Sequence, residues 1–390
     1  MTSPVIVSAA RTAVGTARKG SLANTPPETL AAIVVRAAIE RSGFDPARID
    51  DVVLAESLAG GGAIARHAAV ELGIMQAAGM AVNRHCAGGL SAVGIAAGAI
   101  ASGMEHVIVA GGVQSASMTP RMQQRDPWTG EWQDWWFPAT HPDRPDAPNK
   151  DMSITVGWNA AKEVGLTREE LDAWALRSHE RAIAGIDKGH FVDEIVPVRV
   201  RDADGSERDF LIDEHPRRGS SMEKLAALAV LHPEIEGFSI TAGNSSGVND
   251  AAAALVVASA EIAGSEGRQV LAKILGWTSL GIDPARTGVS VPLVAEKLLG
   301  RTGHKAGDIK LWEINEAFAA VPLGACRTMG LDEEVVNVSG SGCSIGHPIS
   351  ASGGRMIITL INDLKRRGGG LGIAAMCAGG GQAGAVLIEV

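Results

Sequence analysis

The sequence predicts an α/β fold built twice over, with a loop-rich insert in the first copy. Three observations carry this. Short apolar runs of strand length alternate with longer stretches of helical periodicity, the pattern of a sheet covered by helices. A helix–strand segment recurs. Residues 34–58 run helix, Arg41-Ser-Gly43, strand Asp51–Ala55 and Glu56-Ser57, while residues 291–318 run helix, Arg301-Thr-Gly303, strand Lys310–Ile314 and Asn315-Glu-Ala-Phe318. An offset that stays near ~260 residues reads as an internal duplication. Finally, Trp128, Trp132, Trp135, Trp136 and Trp158 crowd into a proline-rich stretch unlike either flank. The expected organisation is an N-terminal half over 1–258, carrying an inserted loop domain at about 115–245, and a C-terminal half over 267–390. A largely parallel sheet is expected in each half.

Taken in order, Pro4–Ala9 is a short apolar run, a buried strand. Thr25-Pro-Pro-Glu28 combines an N-cap Thr, a Pro at the first helical position and a capping-box Glu. Leu30, Ile33, Val34, Ala37 and Ala38 follow at helical spacing, and Gly43 is the stop. Asp51–Ala55 is the next strand. Asn83–Gly103 holds a turn and a Gly/Ala helix. From Cys86 to Met104 no residue is charged, a length that raises the question of a membrane span. Its Gly, Ala and Ser content is too weakly apolar for lipid, so it reads as a helix at the centre of a soluble protein. Val107–Ala110 is a strand, closed by Gly111-Gly112. Arg168–Gly189 is a long helix of the insert. Val336-Asn337 precedes a Gly/Ser-rich turn and helix, as Val82-Asn83 does, and the strand Leu371–Cys377 runs into Gly379-Gly380-Gly381.

Composition excludes several classes. The net charge of −9 and the lack of a long basic run argue against nucleic acid. The four cysteines, Cys86, Cys326, Cys343 and Cys377, form no C-x-x-C pair, so neither a metal site nor a disulfide framework is expected. Free thiols, and a first segment that reads as a strand and not a leader, suggest the cytoplasm. No strand–GxGxxG–helix context points to a nicotinamide or flavin.

Four segments carry chemistry. In Asn83-Arg-His-Cys86-Ala-Gly-Gly-Leu90 a cysteine sits between a strand and the predicted central helix, where a helix N-terminus would lower its pKa. Gly340-Ser-Gly-Cys-Ser-Ile-Gly-His347-Pro348 offers a histidine in a Gly-rich turn. Cys377-Ala-Gly-Gly-Gly381 could supply an oxyanion hole from backbone N–H groups. Asn315-Glu-Ala-Phe318 stands at another strand end. Alone, each also reads as a buried cysteine, a loop histidine, a glycine turn or a helix cap. Together they fit two schemes. A papain-like hydrolase uses one Cys with His and Asn and leaves Cys377 unexplained. A two-cysteine carbon–carbon enzyme uses all four: one thiolate is acylated, a second thiol moves a proton, and two oxyanion holes serve the half-reactions.

In the order and spacing of these four segments the sequence resembles the thiolase family along essentially its whole length. The resemblance implies a duplicated five-layer αβαβα core with an inserted loop domain. It implies an acyltransferase that cleaves 3-ketoacyl-CoA with CoA, or runs the reverse Claisen condensation of acetyl-CoA. A non-catalytic acyl-CoA or lipid-binding protein on the same fold is the alternative. By resemblance Cys86 is the acylated nucleophile, His347 activates it and Cys377 is the general acid/base. Asn315, through a water, forms one oxyanion hole with His347, and the N–H groups of Cys86 and Gly379 form the other. Arg217 matches a residue near the CoA adenine and Ser246 one that contacts pantetheine. Met152 and Phe318 fall in segments that line the substrate site. CoA is a substrate and no separate cofactor is implied. The implied partners are CoA and acyl-CoA thioesters, with no nucleic acid or membrane, and a homodimer or homotetramer. The chain departs from the family at Ala87-Gly88, where a Ser is usual. It departs again at Gly111-Gly-Val-Gln114-Ser115, in place of Gly-Gly-Met-Glu-Ser, and at Asp151, where short-chain members often carry His. The Trp128–Trp136 stretch could cover the acyl tunnel or form its own apolar cluster.

Overall fold

The computed structural model describes residues 2–57, 62–135, 139–202 and 204–390. Nine strands form the main path of one large sheet: β1 (Pro4–Thr12), β2 (Asp51–Ala55), β3 (Ala78–Val82), β4 (Val107–Gln114), β5 (Asn249–Ser259), β6 (Ala272–Gly281), β7 (Leu311–Ile314), β8 (Leu371–Ala378) and β9 (Gln382–Glu389). Their order is β7-β8-β9-β6-β1-β5-β4-β2-β3. Read outward from the join between β1 and β6, the two halves repeat: β1-β5-β4-β2-β3 on one side, β6-β9-β8-β7 on the other. A parallel bridge from Trp312 to Val336 stands where a strand equivalent to β3 would lie. At the join, Val5 pairs with Lys273 and Ile6 with Ala272, antiparallel.

The sheet is mixed, which corrects the expectation of largely parallel halves. β2 is parallel to β3 and β4, and β7 to β8. β5 and β9 run antiparallel to both of their neighbours. Chain connection explains this for β9, which follows β8 through Gly379–Gly381, far too short for the crossover a parallel strand requires.

Among the described residues seven helices have eight or more residues: α1 (Pro27–Ser42), α2 (Ile64–Glu71), α3 (Gly88–Ser102), α4 (Arg168–Asp187), α5 (Ser290–Thr302), α6 (Ala320–Met329) and α7 (Ser352–Arg366). Three apolar cores separate five layers. The first, including Val34, Leu54, Val109 and Val256, lies under α1 and α2. The second, with Leu90, Val93, Ile357 and Leu360, surrounds α3 and α7 between the two halves. The third, with Val294, Leu298, Trp312 and Leu387, lies under α5 and α6. Strand periodicity divides β1 between cores: Val5 and Val7 enter the first and Ile6 the second. A strand buried on both faces reads as an unbroken apolar run, as Pro4–Ala9 does.

The uncharged stretch after Cys86 is α3. Its first turn meets that of α7 backbone to backbone. A methyl group on Gly89 would lie 2.9 Å from Gly354 N, and one on Gly353 would run into Leu90 N. Glycine here sets the crossing distance, so both active-site segments start from one rigid centre.

Two local expectations are corrected. α1 starts one residue later than the capping motif implied: Pro26 is the N-cap and makes no side-chain cap bond, while the Thr25 N–H is spent on Leu22 O. Gly111-Gly112 lies inside β4 and does not close it. Side chains there would run into Ala253 O and Ser350 O, so glycine admits close neighbours within the strand.

The insert includes the hairpin Met122–Arg125/Trp132–Trp135, a short π-helical turn Ser153–Trp158, helix α4 and the hairpin Val198–Arg201/Glu207–Phe210. Thr167 and Glu170 form the capping box of α4. Buried Arg11 of β1 fastens the segment after α4: its Nε donates to Glu194 (2.8 Å) and its two Nη groups to Asp213 (2.8 and 2.9 Å). Trp128, Trp132 and Trp135 are exposed, Trp128 by 92%, and none lines the catalytic cavity. Trp136 lies outside the described residues.

Candidate active site

Cys86 sits in the turn from β3 into α3, one residue before the N-cap Ala87. His85 holds a left-handed conformation (φ +46°), its N–H bound to Asn83 Oδ1 at 2.9 Å. Such a conformation is unfavourable for a residue with a Cβ and persists only where neighbours impose it. It turns the half-buried Cys86 toward the cavity. The thiol is pushed up to about 11 by burial, and the N–H groups of Gly379 and of Cys86 itself pull the other way. This reverses the expectation of a lowered pKa. Desolvation of the thiolate outweighs the two donors. The resting residue is therefore a thiol and needs a base.

His347 supplies one. Its N–H donates to Asn249 Oδ1 (3.0 Å), and its Nδ1 lies 2.7 Å from Ser352 Oγ. Ser352 donates its own hydrogen to Pro348 O at 2.9 Å. Its oxygen can then only accept from the ring, so Nδ1 carries the hydrogen and Nε2 keeps a lone pair. Burial, with Arg355 second, lowers the imidazole to about 3.

Cys377 is the penultimate residue of β8, and Gly379 opens the turn to β9. Burial and the neighbouring Cys86 push the Cys377 thiol far up. Gly380 and Gly381 both have positive φ (81° and 74°), which lets three residues reverse the chain beside the nucleophile. Asn315 follows β7. Its Nδ2 approaches His347 Nε2 at 3.4 Å, and its buried Oδ1 has no partner among the described residues. An acceptor beside the imidazole in this state suits a water, as the oxyanion-hole reading of Asn315 requires.

Glu316, next in that motif, has a different task. It accepts from Trp174 Nε1 (2.9 Å), Ser178 Oγ (2.6 Å), Asn337 Nδ2 (2.9 Å) and Cys343 N (3.0 Å). Four donors saturate the carboxylate, which ties α4 to the loops bearing Asn315 and His347. Glu316, Asn249 and Ser352 were not singled out from sequence. The partners of Glu316 and Asn249 come from distant segments, and Ser352 lies just over one helical turn beyond His347.

Cys86, His347, Cys377, Gly379, Ser246, Met152 and Phe318 line one cavity of about 270 Å³. Asn315 stands behind His347. Arg217 lies elsewhere, in a neighbouring cleft with Arg218, Lys224, Gly243 and Ser245. The Ser245–Ser246 turn faces both spaces, and Ser246 N–H donates to Ala317 O (2.9 Å) to hold it. The structure thus gathers the sequence-predicted residues at one cavity and its adjoining cleft. A thiol, a neutral imidazole, a second thiol and converging backbone N–H groups can acylate sulfur and shift a proton beside it.

This fold and this set of groups define an acyltransferase scaffold of the two-cysteine kind. Family models agree: residues 4–261 match the thiolase N-terminal domain and 268–390 the thiolase C-terminal domain. An acetyl-CoA acetyltransferase of Pseudomonas aeruginosa is 39% identical, with 97% of each chain covered. One of Escherichia coli K12 is 39% identical over 99% of this chain and 98% of its own. The crystal structure of the Bacillus anthracis acetyl-CoA acetyltransferase matches with a TM-score of 0.92 at 38% identity, covering 100% of this chain and 99% of the other. The chain belongs to the thiolase family.

Proposed function

We propose that this thiolase catalyses CoA-dependent cleavage of 3-ketoacyl-CoA and its reverse, the Claisen condensation of acetyl-CoA, through an acyl group carried on Cys86. One observation carries the reading: Cys86, His347 and Cys377 line a single cavity although they come from opposite ends of the chain. In the cleavage direction His347 Nε2 takes the Cys86 proton as sulfur attacks the 3-oxo carbon. The oxyanion faces the N–H groups of Cys86 and Gly379. The bond between carbons 2 and 3 breaks, and Cys377 protonates the departing carbon, whose thioester enolate is held by His347 and the Asn315 site. The Cys377 thiolate then takes the proton of the CoA thiol, the CoA sulfur takes the acyl group, and the released Cys86 thiolate recovers its proton from His347. Because an enzyme accelerates both directions, cellular concentrations decide which one runs. The complete set of reactive residues favours catalysis over acyl-CoA binding alone.

The cationic cleft of Arg217, Arg218 and Lys224 suits the phosphates of CoA in an otherwise acidic protein. The thioester end would then pass Ser246 to reach Cys86, with Met152 and Phe318 along the acyl group. For assembly we favour a homodimer or homotetramer. Among the described residues β3 pairs only with β2 in the main sheet and exposes Met80, and the tryptophan hairpin offers a second apolar surface. Four free thiols suit the cytoplasm.

The test is thiolysis of acetoacetyl-CoA and longer 3-ketoacyl-CoAs, with mass spectrometry of the protein after exposure to acetyl-CoA. Wild type should cleave and become acylated. Cys86→Ala should do neither, whereas Cys377→Ala should acylate but not cleave. Equal loss of acylation in both variants would overturn the assigned roles.

A further inference from the structure

Gln114, the last residue of β4, lines the catalytic cavity with Cys86, His347 and Cys377 and is 1% exposed. A relay fixes its amide. Ser57 N–H donates to Ser350 Oγ (2.9 Å), and Ser350 donates to Gln114 Oε1 (3.3 Å). The Ser350 hydroxyl needs an acceptor, so Oε1 turns to it and Nε2 is left over. Among the described residues that buried Nε2 has no hydrogen-bond partner. Leaving a buried donor unmet costs about 1–3 kcal/mol. An amide in this state on a substrate cavity points to an oxygen that arrives with the substrate.

Which oxygen it serves follows by chemistry. The 3-oxo and thioester oxygens already have donors in Cys86, Gly379, His347 and the Asn315 site, so Nε2 is free for a third. No Lys or Arg lines the cavity among the described residues, and a carboxylate there would be buried unpaired. A neutral oxygen avoids that cost. The neighbouring walls, Met152, Val156, Phe318 and Ile349, are apolar.

We infer that Gln114 is a hydrogen-bond subsite for a neutral oxygen, hydroxyl or keto, on the acyl chain beyond the 3-oxo carbon. The enzyme thereby selects oxygenated acyl groups over hydrocarbon ones. This rests on the thiolase reading above. The Glu of the family's Gly-Gly-Met-Glu-Ser pattern would offer only acceptors here when ionised, so Gln changes the sign of the contact.

The experiment compares thiolysis of two 3-ketoacyl-CoAs of the same shape, one bearing a hydroxyl and the other a methyl group two carbons beyond the oxo carbon. Wild type should prefer the hydroxyl substrate about tenfold in kcat/KM, the size of one neutral hydrogen bond with its desolvation. Gln114→Leu should lose that preference. Gln114→Leu should still cleave the methyl substrate, which also shows that it folds. Equal rates on both substrates in wild type would overturn the subsite and leave the thiolase reading intact. So would a preference unchanged in Gln114→Leu. Cleavage of neither substrate by wild type would bring down the inference together with the reading beneath it.

Discussion

His347 has to be neutral to take a proton, and its surroundings keep it so. Its ordinary value near 6.5 is lowered to about 3 by burial and Arg355, so the base form persists as pH falls below 6.5. The acid limb of Cys86 acylation should therefore lie well below pH 6.5, read from initial acylation rates by acetyl-CoA. An acid limb centred at 6.5 or above would mean that His347 sits in a wetter site. Single residues also show where sequence reasoning reaches. Cys86, His347 and Cys377 were legible because each stands in a short glycine-rich segment at a strand or helix end, and Asn315 because its motif directly follows a strand. The raised thiol of Cys86 was not legible. A helix N-terminus can be read locally, but the desolvation that raises the thiol comes from chain far away in sequence.

Among the elements, the crossing of α3 and α7 carries the most constraint. Their first turns bring Cys86 and His347 together, and the backbones touch through Gly89 and Gly353. A methyl group at Gly353 has no flexible side chain to displace, only the backbone of Gly89 and Leu90. Gly353→Ala should lower the unfolding free energy by about 1–3 kcal/mol, as overpacking does, and should depress kcat further by parting the two segments. Denaturant unfolding followed by far-UV circular dichroism measures the first effect. An unchanged midpoint would show that the helices can separate freely. The strands Asp51–Ala55 and Leu371–Cys377 were legible from their apolar runs. The continuation of β4 through Gly111-Gly112 was not, since two glycines ordinarily signal a turn and only Ala253 and Ser350 on either side explain them.

At the scale of the whole molecule, the insert is held to the duplicated core by buried charge. Arg11 meets Glu194 and Asp213, and Thr359 of α7 also donates to Glu194 (3.1 Å). One guanidinium thus links β1, the segment of the insert after α4 and a central helix. Removing it leaves two carboxylates buried, at a cost of about 3–5 kcal/mol for breaking such a pair from one side. Arg11→Met should lose stability by that amount, and adding Glu194→Gln with Asp213→Asn should restore part of it. The readout is the denaturant midpoint. If the single and triple variants lose the same amount, packing and not charge holds the insert.

The sequence by itself determined the duplication, the segments that bear reactive groups and the family to which they belong. Each of these is written in local pattern: apolar periodicity, glycine turns and spacing. Tertiary structure decided what depends on meeting. It made the sheet mixed, because β5 and β9 run antiparallel to their neighbours. It turned the tryptophan hairpin outward, placed Arg217 in a cleft beside the catalytic cavity, saturated Glu316 and left Gln114 Nε2 unpaired. Burial and hydrogen-bond partnership are properties of the whole packed chain, so a residue's protonation and its unmet donors appear only once distant segments have come together.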